Sequence, residues 1–273
     1  MKFLKRKSTI VASAILLLIC LSPIVLAFHI LPNPFALNPR ARLLPPSCRH
    51  PFGTDQFGRD VLARVLEGSK TSLLIGAAVA SISLLAGIPI GLCAGYFRLL
   101  TTILMRLVDA LMAFPSILLA LSLMAILGKP SVVNVIIAIA IVYTPRIARL
   151  VYGATLVIRE LSFVEAAQAI GASTVRILYK HVLTNLISPV LVYATFIFAF
   201  AILEAAALDF LGVGIPPEVP SWGGMINENR VYIFLAPWGI LFPGLFLGAT
   251  VFALNVIGDN LRDFLDPRIK RLL

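Results

Sequence analysis

The chain has 273 residues, of which 59% are hydrophobic and 13% are charged, and its formal net charge is +10. Soluble domains are only roughly 45–50% apolar, so this composition excludes a soluble fold. The basic residues stand at the ends of long uncharged stretches, a distribution that fits lipid headgroups and argues against a nucleic-acid partner.

The first predicted element is a transmembrane helix over residues 9–31, directly after a basic N-terminus. At about 1.5 Å per residue, this stretch is long enough to cross roughly 30 Å of hydrocarbon. It is also longer than the apolar region of a cleaved signal peptide, which is about 7–15 residues. We therefore expect residues 1–31 to form a cytoplasmic N-terminus and the first span.

Five further apolar stretches predict five more spans, over residues 73–97, 110–128, 131–150, 187–208 and 231–257. Residues 32–71 would then form an outer loop, and residues 72–273 a core of five transmembrane helices. Lys and Arg are more frequent on the side of the membrane that holds the N-terminus, which is typical of cytoplasmic segments. The predicted fold is all-α and polytopic, with six transmembrane helices and both termini in the cytoplasm.

Three glycines recur within the second span, at Gly87, Gly91 and Gly95. A spacing of four residues puts them on one face of a helix, where a second helix can approach closely because no side chain intervenes. We expect this face to serve helix packing and not ligand binding.

The largest predicted cytoplasmic segment covers residues 152–186. Four of its residues carry the pattern of a short helix with a defined end: Glu165, Ala166, Ala167 and Gly171. Alanine favours helix, and glycine suits the left-handed conformation that ends one. Ser173 can cap a second helix directly afterwards. Two helices with a break between them would form a rigid knob that can insert into a groove of a cytoplasmic partner, and a solvated loop between two membrane helices is the alternative that composition leaves equally open.

At this point the sequence resembles the coupling motif of ABC importer permeases, which reads Glu-Ala-Ala, three residues and Gly. The match lies at residues 165–171. The family usually has a proline where this chain has Thr184, so we expect a less sharply bent start of the fifth span. The resemblance implies that Glu165, Ala166, Ala167 and Gly171 transmit force between this chain and an ATPase subunit.

A more specific resemblance lies in the outer loop, and the likeness extends from about residue 50 to the C-terminus. Residues 53–60 are similar to the Gly-Thr-Asp-x-x-Gly-Arg-Asp signature of the second permease of oligopeptide, dipeptide and nickel importers. The matching residues are Gly53, Thr54, Asp55, Gly58, Arg59 and Asp60. The glycines permit turns, and the charged side chains can pair with one another or with the backbone. A self-contained structural loop and a role in receiving a binding protein are equally open.

Glu204 and Asp209 are the acidic residues closest to a predicted span, near the outer end of residues 187–208. A carboxylate buried in lipid is costly and therefore suggests a transport pathway. Both are possible pathway-lining residues. An exposed position at the membrane interface is energetically cheaper, and it is the favoured expectation.

Enzymatic chemistry is not indicated. The sequence has no G-x-x-x-x-G-K-[ST] phosphate loop, no H-E-x-x-H motif and no G-x-S-x-G motif. Its His and Cys residues are scattered, so no metal site is predicted. A secondary transporter is the alternative from another class, but it needs a coupling-ion site at mid-membrane, and no charged residue lies at the centre of a predicted span.

The resemblance implies an ABC importer type I permease fold in a bacterial inner membrane. It further implies three kinds of partner: a homologous but non-identical second permease, two ATPase subunits that bind ATP and Mg²⁺, and an extracytoplasmic solute-binding protein. This chain itself would carry no cofactor. Di- or oligopeptides are the first expected substrates, and nickel or a metal–chelator complex is the alternative.

Overall fold

The computed structural model describes residues 7–24 and 31–265, and this part of the chain is mostly helical. In chain order the helices are α1 (Lys7–Leu21), α2 (Val61–Tyr96), α3 (Arg98–Met112), α4 (Ser116–Leu127), α5 (Val132–Arg159), α6 (Ser162–Ala169), α7 (Thr174–Phe210), α8 (Trp222–Asn229) and α9 (Trp238–Leu265). Helix α7 includes a π-helical turn at Ile177–Leu183. The described residues contain no strand beyond one isolated bridge, which confirms the all-α fold class.

Four of these helices, α2, α5, α7 and α9, are long and apolar enough to cross a membrane. Helices α3 and α4 meet the same criteria only together, and their bend is that of a broken span or of a re-entrant loop. Helix α1 has 15 residues, whereas a straight crossing needs about 20. Residues 25–30 of the first predicted span lie outside the described residues, so the count of six spans stays a prediction.

The third predicted span differs most from expectation. Instead of one straight helix over residues 110–128, α3 begins at Arg98 and meets α4 at an angle of 96°. The break falls next to Pro115, because proline disfavours a helical conformation at the preceding residue and has no amide hydrogen to continue the helix. At the far end of α4, Gly128 has a φ of +80° and turns the chain back into α5.

Helices α2 and α5 form the central pair of the bundle. A Cβ atom added at Gly87 would lie 2.6 Å from Cβ of Ile147, and one added at Gly91 would lie 2.6 Å from the carbonyl oxygen of Ala148. Only glycine permits such a close approach of two helices. The predicted packing role of the glycine face is therefore confirmed.

Three apolar cores hold the other helices on this pair, and the smallest packs Met105 and Val108 of α3 against Ala94 and Ala148. The largest core lies between α2, α4, α5 and α7 and contains the fully buried Ile75, Ile139 and Leu186. The second core joins α1, α8 and α9 to α2 around the buried indole of Trp222. Helix α9 thus packs on the opposite side of α2 and α7 from the α4–α5 pair.

The bundle has two distinct ends. Residues 31–60 and α8 lie at the N-terminus of α2, and we call this the signature end. At the other end, Arg159 donates a hydrogen bond to the carbonyl of Gly95 over 3.0 Å, just before the segment of residues 160–176, which we call the knob. The first and last described helices meet at the knob end, where Asn260 donates to Ser8 over 3.3 Å. Helix α2 has 36 residues, so the two ends are about 50 Å apart.

The helix before the predicted cytoplasmic segment extends beyond the apolar stretch that predicted it. Helix α5 does not end near residue 150 but continues to Arg159. Its buried Val151, Thr155 and Ile158 still face the bundle beyond the last predicted apolar stretch. The knob therefore follows a long, continuous helix.

Candidate functional site

The six signature residues form a tight loop that leads into α2, and all six are buried. The carboxylate of Asp55 organises this loop. Its Oδ1 accepts hydrogen bonds from the backbone amides of Phe57 (2.8 Å) and Arg59 (2.9 Å). Arg59 Nε donates to the other oxygen over 2.5 Å. Gly58 has a φ of +72°, and a side chain there would collide with the backbone of Asn38.

A network of three buried charges and the partly buried Glu228 ties the signature loop to a distant part of the chain. Arg59 pairs with both Asp55 and Glu228, and Glu228 belongs to α8. Arg64 of α2 lies 3.4 Å from Glu228 and 3.9 Å from Asp55. Two guanidinium groups and two carboxylates compensate each other, as buried charges require. The sequence analysis missed Glu228 because 169 positions separate it from Arg59.

The remaining signature side chains hold the loop against its neighbours. Asp60 Oδ1 accepts the amide of Ala63 over 2.8 Å and so caps α2, while its Oδ2 lies 2.8 Å from Nδ1 of His50. The indole of Trp238 donates to the carbonyl of Thr54 over 3.0 Å. The signature is thus an internal scaffold, and the residues around it form the surface of this end.

The coupling motif forms the predicted helix, break and second helix. Gly171 has a φ of +79° and ends α6, and the amide of Ala172 donates to the carbonyl of Ala167 over 3.0 Å. This is a left-handed helix cap. Ser173 Oγ accepts the amide of Arg176 over 3.4 Å and caps α7. Both predicted caps are confirmed.

Three of the four motif residues, Glu165, Ala166 and Gly171, are exposed, whereas Ala167 is buried against the bundle. The knob also exposes apolar side chains: Ile170 is 85% exposed and Val175 75%. Exposed apolar side chains beside small residues are typical of a contact surface.

Thr184 lies within α7, at the position where the resembling family usually has a proline. The chain is helical without interruption from Thr174 to Phe210, through the π-helical turn and past Thr184. Threonine retains the backbone amide hydrogen that a proline would lack. The helix therefore needs no break at this position, and the less sharply bent start of the fifth span stays a prediction.

Glu204 is buried in α7, and it lies in an unusual environment. It is 7% exposed, and neither carboxylate oxygen accepts a hydrogen bond from any described residue. The Tyr143 hydroxyl of α5 interacts with Glu204 and with Arg146 electrostatically and through hydrogen-bond interactions, of which the one to Glu204 falls outside ordinary hydrogen-bond geometry. The Arg146 guanidinium lies 4.6 Å from the centre of the Tyr143 ring. The favoured expectation of an exposed Glu204 was wrong, because α5 covers the side chain.

Because α5 continues to Arg159, Arg146 lies in the middle of this helix. In the predicted span over residues 131–150, the same residue would lie near the inner end. A positive and a negative side chain therefore lie close to one tyrosine within membrane-spanning helices, where ionisable groups are rare and usually functional. In the sequence, the apolar residues that follow Arg146 indicate that the helix continues beyond it.

Asp209 is also buried, at 4% exposure, so the expectation of exposure was wrong here too. Its Oδ1 accepts the amide of Ile215 and its Oδ2 accepts the hydroxyl of Ser221, both over 2.7 Å. Ser221 in turn accepts the amide of Gly224 over 3.0 Å and caps α8. Asp209 thus fixes the connection between α7 and α8.

The described residues contain no group of three or more His, Cys, Asp or Glu side chains that could hold a metal ion. The site consists instead of an exposed knob at one end, a buried signature scaffold at the other, and the Glu204, Tyr143 and Arg146 side chains between them.

Comparison with known protein families gives this arrangement its context. The family described as "Binding-protein-dependent transport system inner membrane component" matches residues 87–271, which is most of the chain. The chain belongs to this family. This membership agrees with the several apolar helices of the structure. It establishes that the chain is a multi-pass membrane permease of the ABC importer type.

Related permeases are similar over most of their length. A Brucella suis protein named "Putative peptide transport system permease protein" is 45% identical over 269 residues, which cover 98% of this chain and 90% of that protein. The dipeptide transport system permease protein DppC of Alkalihalophilus pseudofirmus is 42% identical over 85% of this chain and 77% of its own. The glutathione transport system permease protein GsiD of Escherichia coli is 45% identical over 82% and 74%, respectively.

Among solved structures, a chain of the MetNI methionine ABC transporter in an inward-facing conformation is similar in fold. The TM-score is 0.61, with 20% sequence identity, and the match covers 74% of this chain and 96% of that chain. This likeness confirms the ABC importer permease fold.

Proposed function

We propose that this chain is the permease subunit of an ATP-driven importer of di- and oligopeptides, and that it forms half of the translocation pathway together with a second, homologous permease. The similarity to the Brucella suis peptide permease over 98% of the chain carries this proposal. The dipeptide and glutathione permeases support the same substrate class, since glutathione is itself a modified tripeptide.

In this proposal the ATP is hydrolysed by two separate ATPase subunits, with Mg²⁺, because this sequence has no phosphate-binding loop. The knob is the surface that contacts an ATPase, and its exposed Ile170 and Val175 support this role. The knob then faces the cytoplasm of a bacterial inner membrane, with both termini on that side. The signature end faces outwards, towards a solute-binding protein.

The coupling is mechanical. Closure of the ATPases pushes the knob, and the push reaches the bundle through α5, which is continuous up to Arg159. The glycine contacts make α2 and α5 one rigid pair, so both helices rock together between inward-open and outward-open states. Bound solute enters the pathway from its carrier protein when the outer side opens.

Of the two candidate pathway residues, Glu204 fits the role better. Its carboxylate is free of hydrogen bonds among the described residues and lies at the contact between α5 and α7. Rocking of α5 would change its distance from Arg146. The oxygens of Asp209, by contrast, are already occupied by Ile215 and Ser221.

ATP-dependent uptake into proteoliposomes of the co-purified importer tests the proposal, with labelled dipeptide and nickel offered separately. The variant is Gly171→Asp, and the matched control is Gly212→Asp. Both glycines have a φ of +79°, and an added Cβ would meet no atom within 4 Å at either position. Only Gly171 lies in the knob.

We expect the wild type and Gly212→Asp to take up dipeptide, and Gly171→Asp to assemble normally but to lose at least about tenfold in uptake, since a charge then lies at the ATPase contact. Equal loss in both variants would show that backbone strain, and not the knob surface, is responsible. Uptake of nickel but not of dipeptide would show that the substrate is nickel and not a peptide. Uptake without ATP would overturn the ABC mechanism.

A further inference from the structure

The signature end has a cavity of about 460 Å³ beside the signature loop. Its lining includes Leu37, Arg42, Gln56, Phe57, Glu228 and Val231, and we call it the socket. Glu228 is held in place by its ion pairs with Arg59 and Arg64. One wall of the socket is therefore held in place by the charge network.

The outer loop that contributes Leu37 and Arg42 to the socket carries exposed arginines. Arg42 Nε donates to the carbonyl of Gln56 over 2.7 Å, but its exposed guanidinium has no ion pair with any described residue. Arg40 and Arg49 are exposed as well, and residues 31–54 contain no Asp or Glu. Since Asp55 and Glu228 are already compensated within the network, the charge of these arginines remains available to an acidic partner.

Apolar side chains surround the arginine. Leu37 is 67% exposed, Phe57 49% and Val231 76%, and all three line the socket. A central polar anchor with apolar neighbours that exclude water is the usual arrangement of an energetic centre in a protein interface. A free phosphate or metal ion would gain no binding energy from these apolar contacts, so they favour a protein partner.

We propose that the socket receives an acidic loop of the solute-binding protein, with a carboxylate of that loop on Arg42 and apolar side chains against Phe57 and Val231. The inference rests on the proposed function, and the family description itself names binding-protein dependence. The socket lies at the opposite end of α2 from the knob, on the outward side in that proposal. The signature residues then act indirectly, as the scaffold that shapes the socket.

The test measures binding of the importer's own solute-binding protein, loaded with dipeptide, to the importer in nanodiscs of zwitterionic lipid by surface plasmon resonance. The variants are Arg42→Glu, Arg42→Lys and Val231→Asp. The control is Arg49→Glu, which makes the same charge change in the same loop outside the socket. Thermal unfolding of each variant shows that it is folded.

We expect Arg42→Glu and Val231→Asp each to weaken binding by at least about tenfold, and Arg42→Lys and Arg49→Glu to stay within about threefold of the wild type. Binding to the wild type should weaken as salt is raised, since exposed charge pairs are screened. Equal weakening by Arg42→Glu and Arg49→Glu would overturn the socket in favour of a diffuse field, and so would unchanged binding by Arg42→Glu. Failure of the wild type to take up peptide would instead count against the proposed function.

Discussion

Glu204 and Asp209 show how differently two buried carboxylates in one helix can be used. Asp209 accepts two hydrogen bonds of 2.7 Å from the connection to α8. Glu204 accepts none from the described residues and lies beside Tyr143 and Arg146. A hydrogen-bonded carboxylate stabilises the fold, whereas an unpaired one is retained for another reason, such as a pathway or a second conformational state.

This contrast predicts opposite effects of substitution. Asp209→Ala should lower the free energy of unfolding by about 3 kcal/mol, because the Ile215 amide and the Ser221 hydroxyl lose their acceptor. Glu204→Gln should change it by less than about 1 kcal/mol, because no charged hydrogen bond is lost, while lowering peptide uptake. Chemical unfolding in detergent and uptake in proteoliposomes measure the two quantities. Normal uptake by Glu204→Gln would remove Glu204 from the pathway.

At the scale of elements, the contact between α2 and α5 depends on the absence of side chains. Gly87 and Gly91 place the backbone of α2 against Ile147 and Ala148 of α5, at distances that leave no room for a Cβ atom. The glycine in the middle of a helix is unfavourable by roughly 0.5–1 kcal/mol relative to alanine. The close packing offsets this cost and makes the two helices one mechanical unit.

We therefore expect Gly91→Ala to lower the free energy of unfolding by about 2 kcal/mol, because the added methyl forces α2 and α5 apart. Gly248→Ala is the matched control, since Gly248 lies inside α9 and its added Cβ would meet no atom within 4 Å. That substitution should be neutral or slightly stabilising. Similar losses in both variants would mean that glycine itself, and not the α2–α5 contact, matters at position 91.

At the scale of the whole molecule, one rigid body connects two surfaces about 50 Å apart. The signature end combines a charge-compensated scaffold with an exposed arginine, and the knob end presents small and apolar residues. The proposed orientation puts these surfaces on opposite sides of the membrane. A signal from an outer partner must then cross through α2 and α5 to reach an ATPase.

Labelling of single cysteines in intact cells tests this orientation. Cys48 is exposed at the signature end, and Val175 is 75% exposed in the knob. In a background without Cys20 and Cys93, a membrane-impermeant maleimide should label Cys48 in intact cells. A variant that combines Cys48→Ser with Val175→Cys should be labelled only after permeabilisation. The reverse pattern would show that the knob faces outwards and the signature end faces the cytoplasm.

Local patterns were enough to predict several parts of this protein. The apolar stretches predicted an all-α membrane fold, because uncharged segments of this length are stable only as buried or lipid-facing helices. Gly171 and Ser173 predicted the ends of the two knob helices, since capping depends on neighbouring residues. The spacing of Gly87 and Gly91 predicted a packing face for the same reason.

Other features depend on contacts between distant residues, and only the tertiary structure decided them. Glu228 completes the charge network of Asp55, Arg59 and Arg64 from 169 positions away from Arg59, and no local pattern could pair them. The burial of Glu204 and the socket likewise required the packed bundle. Sequence alone determined that the long apolar segments are helical and where the knob helices are capped, because those preferences are local. The start of α3 and the end of α5 lie outside the predicted bounds, since both helices continue beyond the apolar stretches. The partners of each charge were decided by folding, because burial and ion pairing depend on which helices meet.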